Sequence, residues 1–311
     1  MQTLTELNET FAIPGALVFE SCHGGLLCAH ITTEACTATV YLHGAHIAHW
    51  QPIAESPVLF LSKESLFAED KAIRGGVPVI FPWFGPRTAF GPDARTDGPM
   101  HGFARTQVWE VAFAAISGQD LHLTLTLGPT PISRGYGYDN FRVAYEIIFG
   151  CDLTMRFSVA NQSDKPLHFE EALHTYLHVK NVEDISISGL VGAEFLDKVE
   201  DFKRKRQLEE VLHLTGPTDR LYLNTAATVT VDDPGFNRQL ITSKKGSKTA
   251  VVWNPWSEGA AKLADLGDDE WEGMVCIETV NANENALTLH PGEAHTMESK
   301  ITLIKQEDAS A

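Results

Sequence analysis

Basic residues are scarce in this 311-residue chain, with 24 Lys and Arg against 41 Asp and Glu and a formal net charge of -17. A field of that sign repels nucleic acid and anionic membranes, and it admits a phosphorylated metabolite only where arginines gather locally. Cysteine is sparse too. Cys22, Cys28, Cys36, Cys151 and Cys276 form an odd set without a C-x-x-C pair, which argues against a disulfide framework and against a structural zinc. A reducing compartment fits better. No stretch reaches roughly 18 uninterrupted apolar residues, and the opening MQTLTELNETFAI lacks a basic flank before an apolar run. A soluble, cytoplasmic protein is expected. Gly/Ser-rich linkers, repeats and low-complexity tracts are also missing, so one all-β domain spanning 1–311 is expected rather than two.

What the chain does contain is strand after strand. Leu121–Leu127, LHLTLTL, alternates without a fault, and Phe141–Phe149 and Leu153–Ala160 follow, joined around Gly150-Cys151-Asp152 as a hairpin. Ile185–Ile187, Phe195–Lys198, Thr218–Tyr222, Thr228–Val231, Ala250–Val252, Met274–Ala282 and Ser299–Lys305 supply further strands. Helix is expected at Glu258–Leu266, capped by Ser257 and ended by Gly267, with one helical turn at Ser62–Phe67. The basic run Lys203–Arg206 reads as a solvated loop, and a polar loop is expected from Arg87 to Pro99.

Within this framework a few segments carry chemistry. LHFEEALHTYLHV, Leu167–Val179, reads as one strand with His168, Glu170, Ala172, His174, Tyr176 and His178 on one face. The other face is mostly apolar and would anchor it to the core, leaving His174 at the centre of a cleft. In Ala38–Trp50, also read as a strand with Gly44 as a bulge, His43, His46 and His49 invite a metal; alternation sends His46 to the opposite face, so no metal is expected there. IRGGVPVIFPWFGPR, Ile73–Arg87, is held extended by three prolines and forms a stiff wall, with Arg74 beside two glycines able to approach an anion. MHGFAR adds His101 and Arg105. On Met274–Ala282 the lone acid Glu278 shares its face with Cys276 and Val280, and a carboxylate so placed needs a purpose or a partner.

Taken in order, IRGGVPVIFPWFGP, HGFAR, EALHTYLHV, TDRLY, WNPW and CIETVNA resemble the glucose-6-phosphate 1-epimerase branch of the aldose 1-epimerase family. The resemblance implies an all-β, galactose-mutarotase-like β-supersandwich of large antiparallel sheets binding a hexose 6-phosphate on a concave face. By motif it implies His174 and Glu278 as the catalytic pair and Arg74, Arg105 and Asp219 as phosphate and sugar contacts. His101 would line the pocket. Met100 stands where relatives often carry a glutamine, which removes a possible amide contact. A monomer without metal or cofactor is expected.

The chemistry suits those residue types. Anomer interconversion takes a proton from the C1 hydroxyl and gives one to the ring oxygen, and Glu278, with its pKa raised by apolar surroundings, is the natural base. His174 is the natural acid, with an ordinary pKa of about 6.5 that a neighbouring Glu170 or Glu171 would raise. Two other classes keep part of this set. A silent carbohydrate-binding sandwich needs no acid and base, and an epimerase or lyase acting on a non-phosphorylated sugar needs no arginines, so Arg74 and Arg105 discriminate.

Overall fold

A computed structural model describes residues 1–87 and 96–306. The expected loop Arg87–Pro99 therefore falls partly, at 88–95, outside the described residues.

The strands assemble into a nine-stranded and an eight-stranded sheet, with a four-stranded and a two-stranded sheet beside them. Named strands pair antiparallel throughout these sheets. The nine-stranded sheet holds the cleanest alternation: Asp120–Leu127, Phe141–Phe149 and Asp152–Asn161 bury every second residue. Those residues meet Val79, Leu173, Tyr176, Phe195 and Ile277 of the eight-stranded sheet in one apolar cluster, as expected for sheets packed face to face. Met274–Asn281 is buried at every position because it is central. Its opposite face lies against a smaller cluster of Ile80, Ala172, Leu221, Val251 and Val280. No helix among the described residues is long and apolar enough to cross a membrane.

Several local expectations are corrected. Leu167–Val179 is three short strands, Leu167–Phe169, Glu171–Leu173 and Tyr176–His178, because its partners change along its length. Ala38–Trp50 is a hairpin of Cys36–Tyr41 and His46–Pro52, turned where Gly44 and Ala45 take positive φ. Alanine does not advertise such a turn. Its histidines are engaged separately: His43, in the turn, has Nε2 2.7 Å from the Lys71 carbonyl, His49 Nε2 lies 3.3 Å from Thr37 Oγ1, and burial lowers the His46 pKa to about 3.

Lys203–Arg206 is an exposed strand, not a loop, and pairs with Glu194–Asp197. The late helix is Trp256–Ala260, begun at Pro255 without a side-chain cap, so Ser257 is not its N-cap. Ser62–Phe67 forms no helix. Two helices went unread: Leu4–Phe11, opened by a Thr3/Glu6 capping box, and Pro131–Gly135, opened by Thr130.

Candidate active site

The strand register builds the centre of the site. Leu173 pairs with Thr279 and Tyr176 with Cys276, so the antiparallel ladder sets His174 opposite Glu278. On its other side the segment meets the proline-rich wall, where prolines that cannot donate still accept. His174 N–H donates to the Pro78 carbonyl at 3.0 Å and Glu170 N–H to that of Pro82 at 2.9 Å. The imidazole is clamped by rings, stacked on Tyr176 with centroids 4.8 Å apart and edge-on to Trp253 at 5.9 Å. Its Nε2 then lies 3.4 Å from Glu278 Oε1.

HGFAR forms the opposite lip. A Cβ on Gly102, at φ 73°, would fall 2.1 Å from the Phe81 carbonyl oxygen, so only glycine permits this approach. His101, at φ 64°, accepts from the Gly85 N–H through Nδ1 at 3.0 Å, which leaves its proton on Nε2. Its ring stands 5.6 Å from that of His174. The short helical turn Ala104–Thr106 presents Arg105, which donates to the Met100 carbonyl at 2.7 Å.

All six residues singled out in the sequence, Arg74, His101, Arg105, His174, Asp219 and Glu278, line one cavity of about 210 Å³ with Phe84, Met100, Lys198, Trp253 and Leu263. Sequence reasoning missed Lys198, which ended a segment read only as a strand; its Nζ binds Asp219 Oδ2 at 2.7 Å. It also missed Asp265 and Tyr176 as partners of Arg74, at 3.0 Å each. Asp265 lay within the expected helix, where an acid reads as solvent-facing. A roomier cavity of about 740 Å³ is lined by Glu64, Asp268, Asp269, Glu270 and Glu272 against Lys63 and Lys180, an excess of carboxylates that disfavours an anion.

Burial and charge set the electrostatics. Burial first, then His101, Arg74, Arg105 and Lys198, hold the His174 pKa well below its ordinary value. Burial lifts Glu278 well above the usual carboxylate range, with Asp219 adding to the rise and Lys198 opposing it. The expected help from Glu170 or Glu171 is not there. Glu170 accepts from the Phe84 and Asn283 N–H groups, and Glu171 pairs with His295 and Asn281, so neither carboxylate serves His174. Burial pushes Arg105 down to about 10, still a cation at neutral pH. Among the described residues, His174 Nδ1, Glu278 Oε2, Asp219 Oδ1 and Arg74 Nε are buried without a hydrogen-bond partner, spare capacity that a polar ligand can use.

The chain belongs to the aldose 1-epimerase family, which it matches over residues 28–302. Among its relatives are proteins from Escherichia coli and Salmonella typhimurium, both provisionally named glucose-6-phosphate 1-epimerase. The first is 31% identical over 84% of this chain and 85% of its own length. The second is 33% identical over 79% and 80%. A Salmonella typhimurium crystal structure, described provisionally as a mutarotase, superposes with a TM-score of 0.87 at 27% identity, covering 95% of this chain and 96% of that one.

Proposed function

We propose that the chain interconverts the α and β anomers of a hexose 6-phosphate, with glucose 6-phosphate the substrate to test. The observation that carries this is the buried His174–Glu278 pair, 3.4 Å apart, in a cavity also lined by Arg74, Arg105 and Lys198. Glu278 takes the C1 hydroxyl proton while His174 protonates the ring oxygen; the C1–O5 bond breaks, leaving an open-chain aldehyde. Rotation about C1–C2 and the reverse transfers close the opposite anomer. Because the C1 hydroxyl and the ring oxygen are bonded to one carbon, the acid and base must stand close together, and these do.

The resting site keeps His174 neutral, so an acid at that position needs its proton favoured when substrate arrives. A phosphate dianion supplies this. By offsetting Arg74, Arg105 and Lys198, three of the charges that depress His174, it raises the imidazole pKa in the complex. Substrate charge and catalytic protonation are thus linked. Asp219, with Oδ1 unpartnered, is assigned to a sugar hydroxyl, and His101 Nε2–H to another sugar oxygen. A cytoplasmic location and a monomeric working unit belong to the same reading. All six site residues come from one chain, as a monomeric working unit needs, and Cys36, Cys151 and Cys276 are free thiols, whereas the Cys22–Cys28 disulfide does not favour a reducing compartment.

NMR saturation transfer between the anomers of glucose 6-phosphate tests the assignment. His174→Ala and Glu278→Gln should each lower exchange by at least roughly 100-fold, the usual weight of one positioned acid or base, with the fold kept. Near wild-type exchange in both would remove the acid-base assignment.

A further inference from the structure

The four-stranded sheet gathers a second set of reactive side chains. Strands Leu17–Ser21 and Leu27–Thr32 pair with Glu20 opposite Cys28, and the latter strand pairs with Cys36–Tyr41 so that His30 faces Thr39. Cys28 and His30, two residues apart, share a face. The turn His23–Gly25 returns Cys22 to the same place, and it does so only with glycine at position 24: φ is 66°, and a Cβ would fall 1.7 Å from the Phe67 carbonyl oxygen. Phe67 is in turn packed against His23 and Tyr41, each with ring centroids at 5.2 Å.

The result is convergent. His30 Nε2 lies 3.4 Å from Cys22 Sγ and 3.3 Å from Cys28 Sγ, and Glu20 Oε2 stands 3.7 Å from the same nitrogen. The other ring nitrogen, Nδ1, is 3.3 Å from Thr39 Oγ1, a contact that fixes the ring and can hold the proton on Nδ1, leaving the Nε2 lone pair toward the sulfurs. Leu26, Tyr41, Ala48 and Ile73 make an apolar floor around Cys28. A cavity of about 480 Å³ opens above the group and shares no lining residue with the candidate active site. Cys22 and Cys28 are joined as a disulfide, which corrects the expectation, drawn from an odd cysteine set without a C-x-x-C pair, that the chain carries no such bridge. Such a bridge alone needs no imidazole oriented onto both sulfurs.

We propose that Cys22, Cys28 and His30, with the bridge reduced, bind a thiophilic divalent cation of the Zn²⁺ class. A dithiol reductant delivers two electrons and two protons to the bridge, giving two thiols, and itself becomes a disulfide. Cation uptake releases the two thiol protons, so that two thiolates and one neutral imidazole coordinate. Glu20 or solvent completes a tetrahedral set. Two thiolates select borderline and soft cations over Mg²⁺ or Ca²⁺. Among the described residues this is the one cluster in which three such donor atoms lie within 4.8 Å of one another.

The test is anaerobic titration of the dithiol-reduced, desalted full chain with Co²⁺, read by thiolate-to-metal absorption, followed by displacement with Zn²⁺. One equivalent is expected to bind. Cys22→Ser and Cys28→Ser should abolish the band, Thr39→Val should weaken binding by roughly 10-fold to 100-fold through loss of the ring's orienting contact, and Cys151→Ser should change nothing. Retention of near-UV circular dichroism in each variant shows that the fold persists, and His30→Ala, at a half-exposed position, gives a second route should Cys28→Ser unfold. The proposal is overturned if the folded, reduced protein shows no Co²⁺ band, if the band survives His30→Ala with both serine variants, or if the bridge cannot be reduced while the protein remains native.

Discussion

Removing Arg105 should separate the phosphate's contribution from the sugar's. Its guanidinium is partly exposed and, among the described residues, hydrogen-bonds the Met100 carbonyl alone, so Arg105→Ala strands no buried side-chain partner there and should leave stability nearly unchanged. Arg74 differs. It is tied at 3.0 Å both to Asp265 and to the hydroxyl of fully buried Tyr176, and burial acting against the cation is more than offset by those two neighbours. Arg74→Ala therefore deletes a ligand contact and also leaves a carboxylate and a phenol without their donor. A hydrogen bond to a charged group is worth about 1.5–3 kcal/mol, and each 1.4 kcal/mol is tenfold. Loss of either arginine should thus lower kcat/KM for glucose 6-phosphate roughly 10-fold to 100-fold. Arg105→Lys should restore part of this, since an ammonium keeps the charge but not the fork. Glucose, if turned over, should lose far less. The assay is anomer exchange with both sugars, alongside thermal melts in which Arg74→Ala falls and Arg105→Ala does not. Equal losses for the two sugars in both variants would refute the reasoning, since the arginines would then serve the ring or the fold.

Other outcomes follow from the same geometry. The Glu278 pKa is raised in the native state, so its protonated form is favoured there and the associated stability is lost as pH rises through the folded pKa; Glu278→Gln should therefore melt higher than wild type at pH 8, while losing activity, by on the order of 2 °C per kcal/mol. A lower melting temperature for that variant at pH 8 would contradict it. Gly102→Ala should destabilise the chain and depress exchange together, read by melts and saturation transfer, because the new Cβ meets the Phe81 carbonyl at 2.1 Å. EDTA should leave anomer exchange unchanged even where it strips a cation from Cys22, Cys28 and His30, and loss of exchange restored by a divalent ion would place a metal in the reaction.

Legibility in the sequence followed the physics of each segment. Period-two alternation placed Phe141–Phe149 to the residue, because an antiparallel strand with one buried face writes that burial into its side chains. It misplaced Leu167–Val179 as a continuous strand, since a ladder's interruptions come from its partners, here prolines and a short strand at Val79–Ile80, and not from the segment itself. His174 and Glu278 were legible as a histidine central to one strand and an unpartnered acid on another. What could not be read was that Glu170 and Glu171, a few residues before His174, turn to Phe84 and His295 and leave the imidazole to the cations. Lys198 escaped because its role comes from register: Asp197 pairs with Arg220, so the next step of the same ladder brings Lys198 to Asp219. Cys22, Cys28 and His30 escaped because a glycine turn and two strand registers, none of them a spacing motif, bring them together.

The cations do two opposed things, and the opposition has a use. In the free site burial first, and then His101, Arg74, Arg105 and Lys198, depress His174, so a neutral sugar entering the cavity would find an imidazole with little tendency to hold a second proton. On the proposed assignment, the charges that would attract the phosphate are among those that depress the imidazole. Under the proposed reaction a bound dianion would offset the cations' share of that depression, though not the share due to burial, beside a carboxylate that burial has already made a better base than a solvated glutamate. Discrimination between a sugar and its phosphate would then reside partly in kcat and not in binding alone. Such differential stabilisation raises turnover, whereas uniformly tighter binding would lower only KM. The net charge of -17 repels a dianion at long range, so on this proposal its affinity would have to come from these three side chains at short distance.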